Sequence, residues 1–362
     1  FARPMSPPTK ILQIVPRLPP DNDGVGDYAR QLARQLASAH HIETAFLSFR
    51  PNLETPNTID GFATHQLFNH TKSHFLSLLP KDIDGILLHY SNYPYLQSHF
   101  KAPFWFPNAL KVAKTERNLP VVVLFHELPT LKWKNIRVLN PIQTPVSKEL
   151  SRLANAVVTD TQNFKRQLQK WTKSAIACIP DFSTIGEPQQ NQIQPLEKRQ
   201  PRLVIFGGSD RARAYQNLGR LFKTCQALGI QEICDIGTKQ NIAPSRLGKI
   251  TFTELGFQPA TKVQEILLDS QAGFLDYTKF PGDLGKSSVF AAFCAHGVMP
   301  ICTAHNPSEA DGIFANQQYA IAGEHLSNWS PQQCQSIADR AREWYAQHNL
   351  EANAKLFSDC FS

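Results

Sequence analysis

Short apolar runs alternate with stretches of helical periodicity along most of the chain. The helical stretches are amphipathic; between residues 27 and 37, for example, Ala29, Leu32, Ala33 and Leu36 recur on one helical face. This alternation is typical of α/β proteins built on parallel sheets. It predicts twelve strands: Ile11–Val15, Ile42–Phe49, Gly85–Tyr90, Val121–Phe125, Ala156–Thr159, Ala175–Ile179, Leu203–Phe206, Glu232–Ile236, Ile250–Glu254, Ala272–Leu275, Met299–Thr303 and Tyr319–Ala322.

The alternation is interrupted once, between Ile179 and Pro201, where periodicity is lost and Pro and Gln accumulate. We therefore predict a first domain over residues 1–180, a linker over 181–201 and a second domain over 202–362. A helical stretch from Pro331 to about Phe361 is expected to close the chain. Two doubly wound domains that face each other would bring the loops at their strand ends into one cleft, where α/β proteins bind ligands.

Composition indicates a folded protein without a membrane span. The 362 residues are 42% hydrophobic and 19% charged, and no apolar run reaches about 18 residues. The N-terminus lacks the apolar segment of a signal peptide, and the seven cysteines include no C-x-x-C pair. These features favour a cytoplasmic protein with reduced thiols.

The positive charge is concentrated in the first half of the chain. Residues 1–180 hold 21 Lys and Arg against 12 Asp and Glu. This excess suits an anionic acceptor or a peripheral contact with the inner face of an anionic membrane, and a solvated basic face is the alternative. No nucleic-acid-binding module is recognisable, so no nucleic acid partner is expected.

The glycine motif in the first domain formally matches a dinucleotide fingerprint. Gly24, Gly26 and Ala29 have the G-x-G-x-x-A spacing, but eight residues separate the first strand from Gly24, whereas the fingerprint needs a tight turn. A dehydrogenase is therefore disfavoured. The glycines would instead let the backbone approach a sugar or phosphate, or would simply form a turn.

Further candidates for ligand binding follow the central strands of the first domain. His126 and Glu127 end the strongest apolar strand; the imidazole could bind a sugar hydroxyl, and the carboxylate could orient it or act as a base. A structural role is the alternative for both. Aromatic residues between Tyr93 and Trp105 could stack on an acceptor sugar, lie in a lipid headgroup layer or pack in the core.

Two loops of the second domain have the composition of anion sites. Gly207, Gly208, Arg211 and Arg213 lie between a strand and a helix, where glycines permit close approach and arginines bind phosphate. A second such loop opens a later helix, and it lacks the first glycine of a Walker motif. Its candidate phosphate ligands are Asp283, Gly285, Lys286, Ser287 and Ser288.

In this order, the loops resemble the GT-B glycosyltransferases, and among them the family-4-like bacterial enzymes. The resemblance covers nearly the whole chain and rests on DNDGVGDYARQLARQL, VVVLFHELP, LANAVVTDT, IPDFSTIGEP and FAAFCAHGVMPI. It implies two Rossmann-like domains, with the acceptor on the first and a nucleotide-sugar donor on the second. Sugar transfer would need no metal or other cofactor and would retain the anomeric configuration.

The resemblance also assigns residues. It would place Gly24 and Gly26 near the donor diphosphate, His126 near the transferred sugar, and Lys286 with Arg211 or Arg213 at the phosphates. The pair of glutamates common in the family is replaced by Leu284 and Ala292, so Asp283, or Lys286 with the adjacent serines, would have to substitute. A non-catalytic sugar-nucleotide-binding protein and a sugar-nucleotide epimerase therefore remain alternatives.

Overall fold

The structure, a computed structural model, describes residues 9–49, 56–92, 95, 102–133, 136–239 and 249–362. The chain divides into two compact units. One comprises Phe1–Ile179 with Leu350–Ser362, and the other comprises Pro180–Asn349.

The first unit is built on an eight-stranded sheet of order β10-β9-β6-β5-β1-β2-β4-β3, parallel except for the β3–β4 pair. A separate antiparallel hairpin, β7–β8, follows β6. The strands are β1 (Thr9–Val15), β2 (Ile42–Ser48), β3 (Thr58–Ile59), β4 (Phe62–Gln66), β5 (Gly85–Tyr90), β6 (Val121–Phe125), β7 (Thr130–Trp133), β8 (Ile136–Leu139), β9 (Ala156–Thr159) and β10 (Ile176–Cys178). The helices are α1 (Gly24–His40), α2 (Lys72–Ser77), α3 (Trp105–Arg117), α4 (Thr144–Leu153) and α5 (Gln162–Leu168).

The second unit has a six-stranded, fully parallel sheet of order β13-β12-β11-β14-β15-β16. Its strands are β11 (Gln200–Phe206), β12 (Glu232–Ile236), β13 (Thr251–Glu254), β14 (Ser270–Leu275), β15 (Met299–Cys302) and β16 (Ala320–Ile321). Its helices are α6 (Leu218–Ala227), α7 (Ala260–Leu268), α8 (Ser288–Ala295) and α9 (Pro331–Ala346). The twelve predicted strands and the α/β class with two doubly wound, Rossmann-like domains are thus confirmed.

Burial explains which strands could be recognised in the sequence. The central strands β5 and β6 are buried at every residue, so they appear as continuous apolar runs. The sequence analysis missed β3, β4 and the β7–β8 hairpin. Strand β3 has only two residues, and β4 is half-exposed with polar positions, so neither carries a clear period-2 pattern.

The end of the chain differs from the single closing helix that the sequence suggested. Helix α9 ends at Ala346, and a second helix, α10 (Leu350–Cys360), begins four residues later. Helix α10 packs against α1 and belongs to the first unit, whereas the sequence analysis assigned all of 202–362 to the second domain. Its buried Ala354 and Phe357 explain this position, because the apolar face of a helix must be covered.

The stretch expected to be a linker is structured and belongs mainly to the second unit. It contains two 3-10 turns, Gln190–Gln192 and Leu196–Lys198, and the side chain of Leu196 is buried in the core of that unit. Within the residues that the structure describes, no helix is long and apolar enough to cross a membrane. All seven cysteines are free thiols.

Candidate active site

The start of α1 lies at the switch point of the first sheet. From β1, the strand order runs outward through β2 on one side and β5 on the other, which is where doubly wound sheets bind ligands. The loop after β1 ends at Asp23, the N-cap of α1, whose carboxylate accepts hydrogen bonds from the amides of Val25 (2.9 Å) and Gly26 (3.0 Å). Burial nevertheless raises the pKa of Asp23 above its ordinary value.

The two motif glycines lie in the first turn of α1 and have different surroundings. A Cβ atom on Gly26 would lie 2.4 Å from the carbonyl oxygen of Arg17, whereas a Cβ atom on Gly24 would meet nothing within 4 Å. Gly26 is therefore required by the close approach of the preceding loop to the helix. Gly24 is exposed at the sheet edge, where a ligand could approach its backbone.

His126 directly follows β6 and is held by a second histidine. Its Nε2 lies 3.2 Å from Nδ1 of His89, which is fully buried near the end of β5. The edge of the Tyr28 ring packs on both imidazoles, with ring centroids 5.8 Å from His89 and 5.1 Å from His126. The sequence analysis overlooked His89, because a single histidine within an apolar strand gives no functional signal.

The other candidates of the first unit are distributed as follows. Glu127 is half-buried and accepts a hydrogen bond from Ser91 Oγ at 3.2 Å, so a serine at the end of β5 helps to position it. Trp105 packs in an aromatic cluster, stacked on Phe49 at a centroid distance of 5.8 Å and an interplanar angle of 9°. Tyr93 lies outside the described residues. The assignment of Trp105 and Tyr93 to the acceptor stays a prediction.

In the second unit, the two predicted anion loops follow the adjacent strands β11 and β14, which flank the switch point of that sheet. Gly207 has φ +126°, and a Cβ atom there would lie 3.1 Å from the side chain of Val289, in the first turn of α8. An ion pair between Arg213 and Asp276 (3.4 Å) also joins the loops. The structure therefore brings the two loops together.

Arg211 is not presented to a ligand as the sequence analysis supposed. Its guanidinium is buried and holds the carboxylate of Asp235 with both prongs of its fork, at 3.1 and 2.7 Å. Tyr215 and the carbonyl of Thr238 complete this network. Asp235 lies in the fully buried part of β12, where a carboxylate needs a paired cation. The fork that would bind a phosphate is therefore engaged within the protein.

Side chains of the neighbouring segment organise the loop before α8. The amide of Gly282 donates to Asn306 Oδ1 (2.9 Å), and the amide of Leu284 donates to Ser308 Oγ (3.0 Å). Ser287 is the N-cap of α8 and accepts from the amide of Phe290 at 3.2 Å. The amides of Ser288 and Val289, in the first helical turn, have no acceptor within the helix and are suited to an anion.

Lys286 is the cation of this loop. It is half-buried, and its ammonium lies 4.4 Å from the centroid of the Phe280 ring. Asp181 is bound to the same loop, since its amide donates to the carbonyl of Gly285 at 2.9 Å. Burial raises the pKa of Asp181 to about 8, although the charge of Lys286 lowers it.

The positions where the resemblance expected glutamates are apolar and buried. Leu284 is 0% exposed and Ala292 is 1% exposed, so neither could be replaced by an ionised carboxylate without a large desolvation cost. Asp283, the residue suggested as a substitute, is buried next to Leu284. The roles of Asp283, Gly285, Gly208 and the two serines toward a donor stay predictions.

Two Rossmann-like units, each with candidate residues in loops at a sheet switch point, are the architecture of the GT-B fold. Residues 22–181 match the family model described as Glycosyltransferase Family 4. This match supports, for these residues, the resemblance seen in the sequence, and the solved structures described next show that the chain has the GT-B fold. Comparison with curated protein sequences gave no significant match.

Solved structures with the same fold cover nearly the whole chain. Sucrose-phosphate synthase from Thermosynechococcus elongatus aligns with a TM-score of 0.65 and 14% identity over 98% of both chains. HepE from Anabaena, in complex with UDP-glucose, aligns with a TM-score of 0.63 and 10% identity over 97% of this chain and 98% of that one. An alpha-glucosyltransferase in complex with UDP aligns with a TM-score of 0.58 and 11% identity over 98% of this chain and 100% of that one.

The different surroundings of the two motif glycines can be tested by substitution. We expect Gly26→Ala to lower the free energy of unfolding by about 1–3 kcal/mol, because the new methyl group must displace the Arg17 carbonyl. Gly24→Ala is the matched control and should change stability by no more than about 0.5 kcal/mol. Urea unfolding of both variants checks this. Equal stabilities would show that the loop moves away from α1 without cost.

Proposed function

We propose that the protein transfers a sugar from a nucleoside diphosphate sugar to an acceptor held by the first unit, without a metal ion and with retention of anomeric configuration. The observation that carries the proposal is the position of Lys286, beside the N-terminus of α8 at the switch point of the second sheet. A lysine ammonium and helix amides together suit a diphosphate. Retention follows from the family resemblance.

A nucleotide-sugar donor is supported by the fold relatives. HepE was solved in complex with UDP-glucose, and the alpha-glucosyltransferase was solved with UDP. In this chain, the second unit supplies the corresponding chemistry, because Lys286 and the first-turn amides of α8 would stabilise the charge that develops on a departing diphosphate. His126 would contact the sugar, and Glu127 is the candidate base.

Metal independence is supported by the positions of the Asp-x-Asp sequences, the arrangement in which two carboxylates could hold a cation. One ends at Asp23, which caps α1. The other comprises Asp82 and Asp84, which accept hydrogen bonds from the side chain (2.6 Å) and the amide (2.8 Å) of Lys10. This second pair precedes β5, at the opposite edge of the sheet from His126. Both sequences thus have structural partners.

The role of Lys286 predicts a large kinetic effect. A thermal-shift panel of nucleotide sugars would first identify the donor, since a ligand at 100 times its Kd adds about 2.7 kcal/mol of stability. Lys286→Ala should then lower kcat/KM by roughly 10²–10³, the scale for loss of one preorganised charge stabiliser.

Lys279→Ala is the matched control for Lys286→Ala. The Lys279 ammonium also lies against Phe280, at 5.0 Å from the ring centroid, but it is half-exposed and paired with Asp210. We expect near-normal turnover from this variant. Equal losses in the two variants would contradict a specific role for Lys286, and donor binding without transfer would favour the non-catalytic alternative.

Metal independence predicts that chelation has no effect. Sugar transfer, measured by release of the nucleoside diphosphate, should proceed at an unchanged rate in excess EDTA, because Lys286 and the dipole of α8 supply the positive charge. Loss of activity that Mg²⁺ or Mn²⁺ restores would show that the diphosphate is bound through a cation instead.

We also propose that the basic first unit makes a peripheral contact with an anionic membrane or binds an anionic acceptor. No acidic residue occurs between positions 85 and 115, a segment that includes α3 up to its last two residues. Phe104 is 58% exposed just before this helix, and the exposed Lys111 lies seven positions further on, on the same helical face. An apolar ring beside a basic group suits the surface of an anionic bilayer.

Co-sedimentation with vesicles tests the membrane contact. Neutralising Lys101 and Lys111 should lower binding to anionic vesicles on the order of 30-fold at low salt, at about 1 kcal/mol per basic group. Lys101 lies outside the described residues. The control pair, the exposed Lys81 and Lys170, removes the same charge elsewhere in the unit and should have a smaller effect. Equal binding to neutral and anionic vesicles, or none to either, would favour an anionic acceptor.

A further inference from the structure

The loop between β14 and α8 is held by one side chain from the loop that follows β15. Asn306 is 3% exposed, and its side-chain amide makes four hydrogen bonds. Its Nδ2 donates to the carbonyls of Tyr277 (3.2 Å) and Phe280 (3.0 Å), and its Oδ1 accepts from the amide of Gly282 (2.9 Å) and the hydroxyl of Ser308 (2.7 Å). Exchange of Oδ1 and Nδ2 would set an oxygen against two carbonyls, so these partners fix the orientation of the amide.

Backbone hydrogen bonds divide the same loop into three successive turns that end at Lys286. Each bond joins residues three positions apart: the amide of Phe280 to the carbonyl of Tyr277 (3.0 Å), Asp283 to Phe280 (3.3 Å) and Lys286 to Asp283 (3.2 Å). Pro281 and Gly282 are the central residues of the middle turn, and Gly282 has φ +79°, as a type II turn requires at its third residue. Asn306 binds the two carbonyls that close the first and second turns. It therefore determines where the turn that carries Lys286 begins.

The loop also places an aromatic ring against the Lys286 ammonium. Lys286 Nζ lies over the Phe280 ring, 4.4 Å from its centroid, which is within range of a cation–π interaction. The Tyr277 ring packs against Phe280 at a centroid distance of 5.2 Å. The two carbonyls that Asn306 binds belong to these aromatic residues. Loss of the Asn306 side chain would thus release both rings and remove an acceptor of the buried Gly282 amide.

The backbone of Asn306 is fixed in turn by the hydroxyl of Tyr319. The Asn306 amide donates to this hydroxyl at 2.9 Å, and the hydroxyl donates to the Asn306 carbonyl at 3.1 Å. Tyr319 is fully buried just before β16, and burial raises its pKa to about 12, so the hydroxyl keeps the proton that it donates. The contacts from the sheet through Asn306 to the loop are therefore continuous.

We infer that Asn306 is a positioning residue, which fixes the place of the Lys286 ammonium through the loop after β14. The role of that charge in sugar transfer rests on the proposed function, whereas its position does not. The chemistry requires asparagine, because the side chain must donate to two carbonyls and accept from an amide at the same time. An ionised aspartate of the same length only accepts, and a leucine does neither.

Proton NMR measures the position of Lys286 without any substrate. The ring current of Phe280 should move the ε-methylene protons of Lys286 upfield, and these resonances are assigned by their loss in Lys286→Ala. Phe280→Leu gives their position without the ring. Asn306→Ala should move them most of the way toward that value. Unchanged Lys286 resonances in Asn306→Ala would overturn the inference.

Asn140→Ala is the matched control for the loss of a buried asparagine. Asn140, in the first unit, is 2% exposed, and its side chain accepts from the amide of Ile142 at 3.0 Å. Its removal should also lower stability but should leave the Lys286 resonances in place. Equal movement in Asn140→Ala and Asn306→Ala would contradict a specific role. If Asn306→Ala does not fold, Tyr319→Phe is the second variant, since it releases the Asn306 backbone and should move the resonances in the same direction.

A double-mutant cycle tests the link to sugar transfer. Asn306→Ala should lower kcat by up to about 10²-fold, the scale for misplacing a group by about 1 Å, with a smaller change in the KM for the donor. In the Lys286→Ala background, the same substitution should have little further effect, because it acts through Lys286. A full additional loss in that background would contradict this action. The expected NMR changes in a protein that transfers no sugar would contradict the proposed function alone.

Discussion

The parallel pairing of β1 with a strand on each side is the constraint on which the first unit depends. Strand β1 lies between β2 and β5 in the interior of the sheet, and its residues from Ile11 to Val15 are buried, including the polar Gln13. The same pairing places the loop after β1 beside the strand that carries His89. Strand registration, helix capping and the orientation of His126 are therefore consequences of one arrangement of strands.

In the second unit, carboxylates at the ends of buried strands determine which of the candidate basic side chains form ion pairs within the protein. A carboxylate at the fully buried end of β12 takes the fork of Arg211, and Asp276 after β14 takes Arg213. Each pair also ties a loop to the sheet edge. Among the basic residues that the sequence analysis selected, Lys286 is the one beside a helix N-terminus, where its charge adds to that of the helix dipole.

Most of the fold could be predicted because buried parallel strands appear in the sequence as short, continuous apolar runs. The strands that were missed are short or half-exposed, such as β3 and β4, and carry little periodic signal. The site was less predictable, because its decisive contacts join residues that are distant in the sequence. His89 contacts His126, which lies 37 positions away in the sequence, and it also contacts Gln13, which lies 76 positions away. Arg211 binds Asp235, which lies 24 positions away. No local pattern indicates such partners.

The return of α10 to the first unit has a consequence for biosynthesis. Most of that unit has been translated by residue 179, but Asn353, which accepts a hydrogen bond from the Tyr28 hydroxyl, is made after the whole second unit. On the ribosome, the first sheet can therefore form early, while the face of α1 that α10 covers stays open to water. The packing around His126 is completed only when residues 350–360 arrive, so the order of synthesis places assembly of this region last.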